Sequence, residues 1–126
     1  MRIIKLSPED EDFPNRASVD VYFAETLPAR TPAGKFLLTK GRIAAEGIAV
    51  DEELVFSYQT EITHIAKAGS GREENTDRNT SGSYPYYFVV DLGTVQAASG
   101  NLSDIEASAG KNIVKTQGWP RITEDE

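Results

Sequence analysis

His64 is the one histidine of this 126-residue chain, which has no cysteine. A thiolate nucleophile, a disulfide framework and cysteine-based zinc or iron–sulfur sites are therefore excluded. A single imidazole leaves little for a His-rich metal site or a catalytic triad. Motif spacing offers no other route to catalysis. There is no Gly-x-Ser-x-Gly elbow, no Walker A loop and no His-Glu-x-x-His. Gly69-Ser70-Gly71 lacks the Gly-Lys-Ser/Thr that completes a phosphate loop. The carboxylate runs at 9–12 and 51–53 read as surface, and His64, inside a strand-like stretch, reads as a structural or partly buried histidine. The chain is expected to carry no catalytic residue, no metal and no cofactor.

Aromatic residues beside polar ones offer binding chemistry instead. Tyr58, Tyr84, Tyr86, Tyr87 and Trp119 can stack on a flat ligand or pack a core. On an alternating strand Tyr84 and Tyr86 share one face and Tyr87 takes the other, so these three cannot all line one pocket. Trp119 differs, because it lies in a Gly-Trp-Pro turn late in the chain.

The elements that must position these groups follow from patterning. Residues 1–16 read as an irregular acidic lead-in, with Pro8 and Pro14 flanking the run Glu9-Asp10-Glu11-Asp12. Residues 17–24 alternate Val19, Val21 and Phe23 with polar positions, which predicts a strand. A loop over 27–34, rich in proline, leads to a short strand at 35–40, then a turn or single helical turn at 41–47. Strands are predicted at 54–59 and 61–68, antiparallel through a tight turn near Thr60, with Ile62 and His64 on one face and Thr63 and Ile65 on the other. Residues 69–83 contain no apolar side chain and predict a long flexible loop, in which Arg72 and Arg78 are the charges available to a partner. An aromatic strand covers 84–92. Asn101 can cap a helix over 102–109 that stops at Gly110, with Asp104 favourable in its first turn. Residues 112–114 predict a last short strand. The fold class is thus a small β-rich α+β domain with one or two short helices.

Charge and hydropathy restrict partners. The 13 basic and 20 acidic residues sum to −7, but the two terminal acidic runs hold the excess, and without them 13 acids face 13 bases. A near-neutral body can present a local basic face but cannot hold nucleic acid through phosphates alone. No apolar run reaches the length of about 18 residues that a membrane span requires. The N-terminus lacks the apolar stretch of a secretory signal, so a cytoplasmic protein without a membrane partner is expected.

The order of segments resembles the PUA-like superfamily, especially its EVE and YTH branches. Val50-Asp-Glu-Glu-Leu-Val-Phe-Ser-Tyr-Gln59 followed by Glu61-Ile-Thr-His-Ile-Ala-Lys-Ala68 is similar to that family's "Gly-Asp, apolar, apolar, Phe, Tyr" strand and the "Ile-x-Gly-x-Ala" strand after it. Asp51-Glu52 replaces the usual Gly-Asp, and His64 stands where glycine is common. Tyr86-Tyr-Phe-Val-Val-Asp-Leu92 resembles the long central strand. Asn101-Leu-Ser-Asp-Ile-Glu-Ala107 and Val114-Lys-Thr-Gln-Gly-Trp-Pro-Arg-Ile122 resemble the short helix and closing strand. The likeness covers residues 17–122, between the lead-in and an acidic tail at 123–126. It implies a small bent β-barrel flanked by helices and a reader of nucleic acid, modified DNA in preference to RNA, holding a methylated or hydroxymethylated flipped base. It also implies a nuclease domain or subunit as partner, in the manner of modification-dependent restriction proteins. Carried over by position, Ser57 and Tyr58 border the base pocket, Trp119 forms another wall, and Tyr22 or Phe23 stands in for the family's early tryptophan. Lys40 and Arg42 occupy a segment of pocket or phosphate contacts, with Arg72 and Arg78 as further backbone contacts. The alternative is a protein-interaction or structural domain that buries these rings and exposes an apolar patch or strand edge.

Overall fold

The computed structural model describes residues 1–10, 12–38, 48–110, 112–114 and 119. Six strands, β1 (Arg2–Leu6), β2 (Lys35–Leu38), β3 (Glu53–Tyr58), β4 (Glu61–Ala68), β5 (Glu73–Glu74) and β6 (Tyr86–Ala97), form one sheet in the order β1-β3-β4-β6-β2, with β5 added beside β6. The sheet curls into a half-barrel. Its inner face buries Ile4, Leu6, Leu54, Phe56, Phe88 and Val90 against a helical segment over residues 16–29. Its outer face buries Ile3 and Val55 against Leu102 of helix α3 (Leu102–Ala109) and Ile113. The small β-rich α+β class predicted from patterning is what the chain adopts.

Several segments differ from their sequence patterns for identifiable reasons. The expected lead-in contains β1, which runs parallel to β3 with Ile3 beside Val55 and Ile4 beside Phe56. A strand covered on both faces shows no alternation, and here only two adjacent apolar residues sit between Arg2 and Lys5. Residues 17–24 are helical rather than extended. Asn15 caps α1 (Arg16–Val21) by accepting from the Ser18 N–H, in a capping box with Ser18. Val19, Tyr22, Phe23 and Leu27 then form an i, i+3, i+4, i+8 stripe, while Val21 stays half exposed. The segment continues through a π-helical turn (Tyr22–Thr26), in which the Leu27 N–H reaches the Tyr22 carbonyl, to α2 (Leu27–Ala29).

The β3–β4 hairpin turns at Gln59 and Thr60, both left-handed (φ 50° and 70°), as a two-residue turn requires. A bulge opposite Phe56 and Ser57 gives β4 an extra residue, Thr63. It breaks the predicted alternation. Ile62 joins the outer cluster, Ile65 pairs with outer-face Val55, and His64 pairs with inner-face Phe56.

The polar stretch 69–83 is built, not structureless. Asn75 is buried and uses its full amide capacity: Oδ1 accepts from Lys35 Nζ (3.0 Å) and the Asp77 N–H (3.2 Å), and Nδ2 donates to Thr80 Oγ1 (2.9 Å) and the Tyr84 carbonyl (2.7 Å). Composition could not show this, because one buried amide substitutes for an apolar core. Asn75→Ala is expected to destabilise the domain by about 1–3 kcal/mol, leaving buried partners unsatisfied. Urea denaturation, together with faster proteolytic nicking between residues 76 and 83, checks it.

Helix α3 has the predicted ends, with Asn101 Oδ1 accepting from the Ser103 N–H (3.0 Å) and Gly110 left-handed (φ 66°). Residues 112–114, expected as a strand, are not one. Two of their amides go to a side chain, Glu106 Oε1 accepting from Ile113 (2.8 Å) and Val114 (3.2 Å). The positions predicted as a turn at 41–47, and Lys40 and Arg42, lie outside the described residues. Among the described residues no helix is long and apolar enough to cross a membrane.

Candidate functional site

The site grows from the end of β1, where Lys5–Ser7 separates two concavities. On the inner side, rings far apart in sequence converge. Tyr22 reaches in from the π-helical turn, a helical irregularity often found at functional sites. Phe36 comes from β2, Tyr58 from β3, and Trp119 from beyond α3. Phe36 lies 5.8 Å from the Tyr22 ring and 6.0 Å from Trp119. The Trp119 Nε1–H donates to the Lys5 carbonyl (3.2 Å), and Arg2 donates to the Trp119 carbonyl (2.9 Å). The indole therefore bridges β1 and β2, the two edges of the half-barrel.

The cage is filled. Phe13 is buried, with its ring 4.7 Å from Tyr22, and its carbonyl accepts from the Tyr58 hydroxyl (2.9 Å). The space left beside Phe13, Phe36, Tyr84 and Trp119 is about 20 Å³, room for one water at most. Arg30 closes the rim. Its guanidinium donates to the Tyr22 hydroxyl (2.8 Å) and the Lys35 carbonyl (3.1 Å), and pairs with Asp12 (3.0 Å). Burial pushes the Tyr22 hydroxyl pKa well up, against the opposing pull of Arg30, so the phenol stays neutral and accepts from that cation.

The residues singled out from sequence separate accordingly. Tyr22, Tyr58 and Trp119 meet in one cluster, but as buried walls around Phe13 rather than around an open pocket. Ser57 does not join them, because strand alternation turns it to the outer face, where its hydroxyl donates to the Ile4 carbonyl (3.3 Å). There it borders the second concavity, an open cleft of about 220 Å³ lined with Lys5, Gln59, Thr60, Leu102 and Val114. Lys5 donates to the Ile113 carbonyl, and burial lowers its pKa despite the nearby Glu106 carboxylate. Phe23 is not a wall of the cage either, since it packs tilted on His64 at 4.2 Å and edge-on to Phe56 at 4.8 Å. Arg72 lies over the Tyr86 ring at 4.5 Å and Lys35 over Tyr87 at 4.7 Å, so these cations rest on the domain's own rings, whereas Arg78 is exposed. Sequence reasoning missed Phe13, Phe36 and Arg30. The one available signal was an aromatic residue inside an otherwise acidic lead-in.

His64 plays a structural part. Its Nδ1 lies 3.0 Å from Thr63 Oγ1 and its Nε2 3.6 Å from Asp20, which pairs with Arg16 on α1. Burial lowers its pKa, with Asp20 opposing and Arg16 assisting. The unfolded state therefore binds the proton first, and stability is lost as pH falls through about 6.5 toward the lower folded pKa. His64→Phe is expected to flatten the urea midpoint relative to wild type between about pH 7.5 and 5. An unchanged slope would place the pH dependence elsewhere.

Among the described residues, no group of three or more His, Asp or Glu side chains is placed to hold a metal ion. Compared with known proteins, the chain matches no family model, no curated protein and no solved structure. The PUA-like resemblance thus rests on the order of its motifs alone.

Proposed function

We propose that this domain is a nucleic-acid reader without catalytic activity of its own, accepting a modified DNA base taken out of the stack. The observation that carries this reading is that Tyr22, Phe36, Tyr58 and Trp119 meet in one buried cluster with Phe13, with the Arg30 guanidinium on the Tyr22 hydroxyl. Aromatic walls return about 1–3 kcal/mol per stacked base, comparable with the few kcal/mol that flipping costs. A near-neutral body with one specific cage then discriminates by the base and not by phosphate attraction. On this reading cleavage belongs to a nuclease domain or subunit, as in modification-dependent restriction.

Fluorescence anisotropy at fixed salt tests it. Duplexes carry cytosine, 5-methylcytosine, 5-hydroxymethylcytosine, adenine or N6-methyladenine at one position, beside a single-stranded RNA. Tighter binding of one modified duplex is expected. Weak binding that ignores the modification, or none, favours the second reading, a protein-interaction domain. That reading has its own observation, an outer-face groove of about 500 Å³ in which Val55 and Ile65 lie between Met1 and Thr94, with Ile65 39% exposed.

A further inference from the structure

We propose that the acidic strap between β1 and α1 is a built-in pseudo-ligand: Phe13 occupies the place of the base and Asp12 that of an anionic phosphate, so the cage opens to a nucleotide only when the strap lifts. This rests on the reader assignment and adds its regulation.

Three observations carry it. The first is the fill. Phe13 is 3% exposed, its ring is tilted 59° against Tyr22 at 4.7 Å, and with Phe36 and Trp119 it borders the small space that remains. The second is charge. Asp12 Oδ2 meets the Arg30 guanidinium at 3.0 Å, and that guanidinium is held in place by Tyr22 and the Lys35 carbonyl and lies 5.1 Å over the Tyr22 ring. A fixed, forked cation at the mouth of an aromatic cage is the arrangement that recognises an anion attached to a flat ring. Here the chain's own carboxylate satisfies it. The third is how the strap is built. Its described residues belong to no strand or helix and turn on short local bonds, Asp10 N–H to Ser7 O (3.1 Å), Asp12 N–H to Asp10 Oδ1 (2.9 Å) and Phe13 N–H to Asp10 O (3.0 Å). Asp12 on Arg30 and the Phe13 carbonyl on Tyr58 tie it to the body. Such a segment can leave without breaking the sheet, and a ring that enters as Phe13 departs recovers the burial that Phe13 gives up. The further carboxylates of Glu9 and Asp10 repel nucleic acid while the strap is down.

The same anisotropy titration tests this with Asp12→Asn and Phe13→Ala. Asp12→Asn loosens the strap without touching the core, so it stays informative if Phe13→Ala fails to fold. The expected result is tighter binding of one modified duplex, about fivefold for Asp12→Asn, the weight of one partly exposed ion pair, and more for Phe13→Ala. Binding of the unmodified duplex should change less, and Asp12→Asn/Arg30→Met should lose the gain. Selective binding by wild type that neither variant improves would overturn the strap and leave the reader standing. Equal gains on modified and unmodified duplexes would reduce the strap to charge repulsion and overturn the pseudo-ligand. No binding by wild type or variant to any duplex would overturn both.

Discussion

Replacing Gly34 by alanine is expected to lower the unfolding free energy by roughly 2–4 kcal/mol, a large share of a small domain's stability. Gly34 joins the end of α2 to the start of β2. Its N–H donates to the Leu27 carbonyl (3.0 Å) and its carbonyl accepts from the Val90 N–H (2.8 Å). Its φ of +88° disfavours any side chain, and a Cβ there would stand 2.3 Å from the Val90 carbonyl oxygen, a backbone atom with no rotamer to escape into. Either the β2–β6 pairing or the helix end must shift, and both carry walls of the cage, Phe36 and Tyr22. Gly82→Ala is the control, because nothing lies within 4 Å of its added Cβ. That variant should stay within about 0.5 kcal/mol of wild type. Urea denaturation of the pair decides the matter, since equal midpoints would mean that the close approach at Gly34 does not exist.

Trp119→Ala is the second large effect, about 3–5 kcal/mol for truncating a buried aromatic. Trp119 is 8% exposed, packs edge-on to Phe36 and ties to both Lys5 and Arg2 across the open side of the half-barrel. Its loss leaves the edges β1 and β2 without their shared plug. Trp119→Phe separates the contributions, keeping most of the ring while deleting the indole N–H to the Lys5 carbonyl, at about 1 kcal/mol. Under the reader assignment Trp119→Phe retains stacking and should still distinguish a modified duplex. A folded Trp119→Phe variant that has lost all selectivity would mean that stacking on the ring at this position is not what recognises the base.

Both effects arise at joints between distant segments, and this separates what was legible in the sequence from what was not. Local devices were legible. Asn101 and Gly110 mark both ends of α3, because a cap is a matter of the residues on either side of it. The β3–β4 hairpin was legible because two apolar runs nearly touch, so their chain reversal needs a tight turn at Gln59–Thr60. The absence of cysteine and the single histidine already directed attention from catalysis to aromatic binding and so to Tyr58 and Trp119, whereas Tyr22 came only from the PUA-like resemblance.

What the tertiary structure decided depends on a partner distant in sequence. The period-2 pattern at Val19, Val21 and Phe23 predicted a strand. The capping box at Asn15 and burial of Val19, Tyr22, Phe23 and Leu27 on one stripe chose the helix. β1 became a strand because β3 lies beside it and both its faces are covered, so its residues carry no alternation to read. The loop over 69–83 is ordered by Asn75 through Lys35, forty residues earlier, a bond no local window contains. Strand alternation sent Ser57 away from the cage, and chain reversal at the end of β1 sent Phe13 into it. A ring's propensity to stack is a property of its residue type, but which ring fills the space is settled by where the backbone brings it. That is why the aromatic inventory belongs to the sequence, and the plug at Phe13 and the cation at Arg30 belong to the fold.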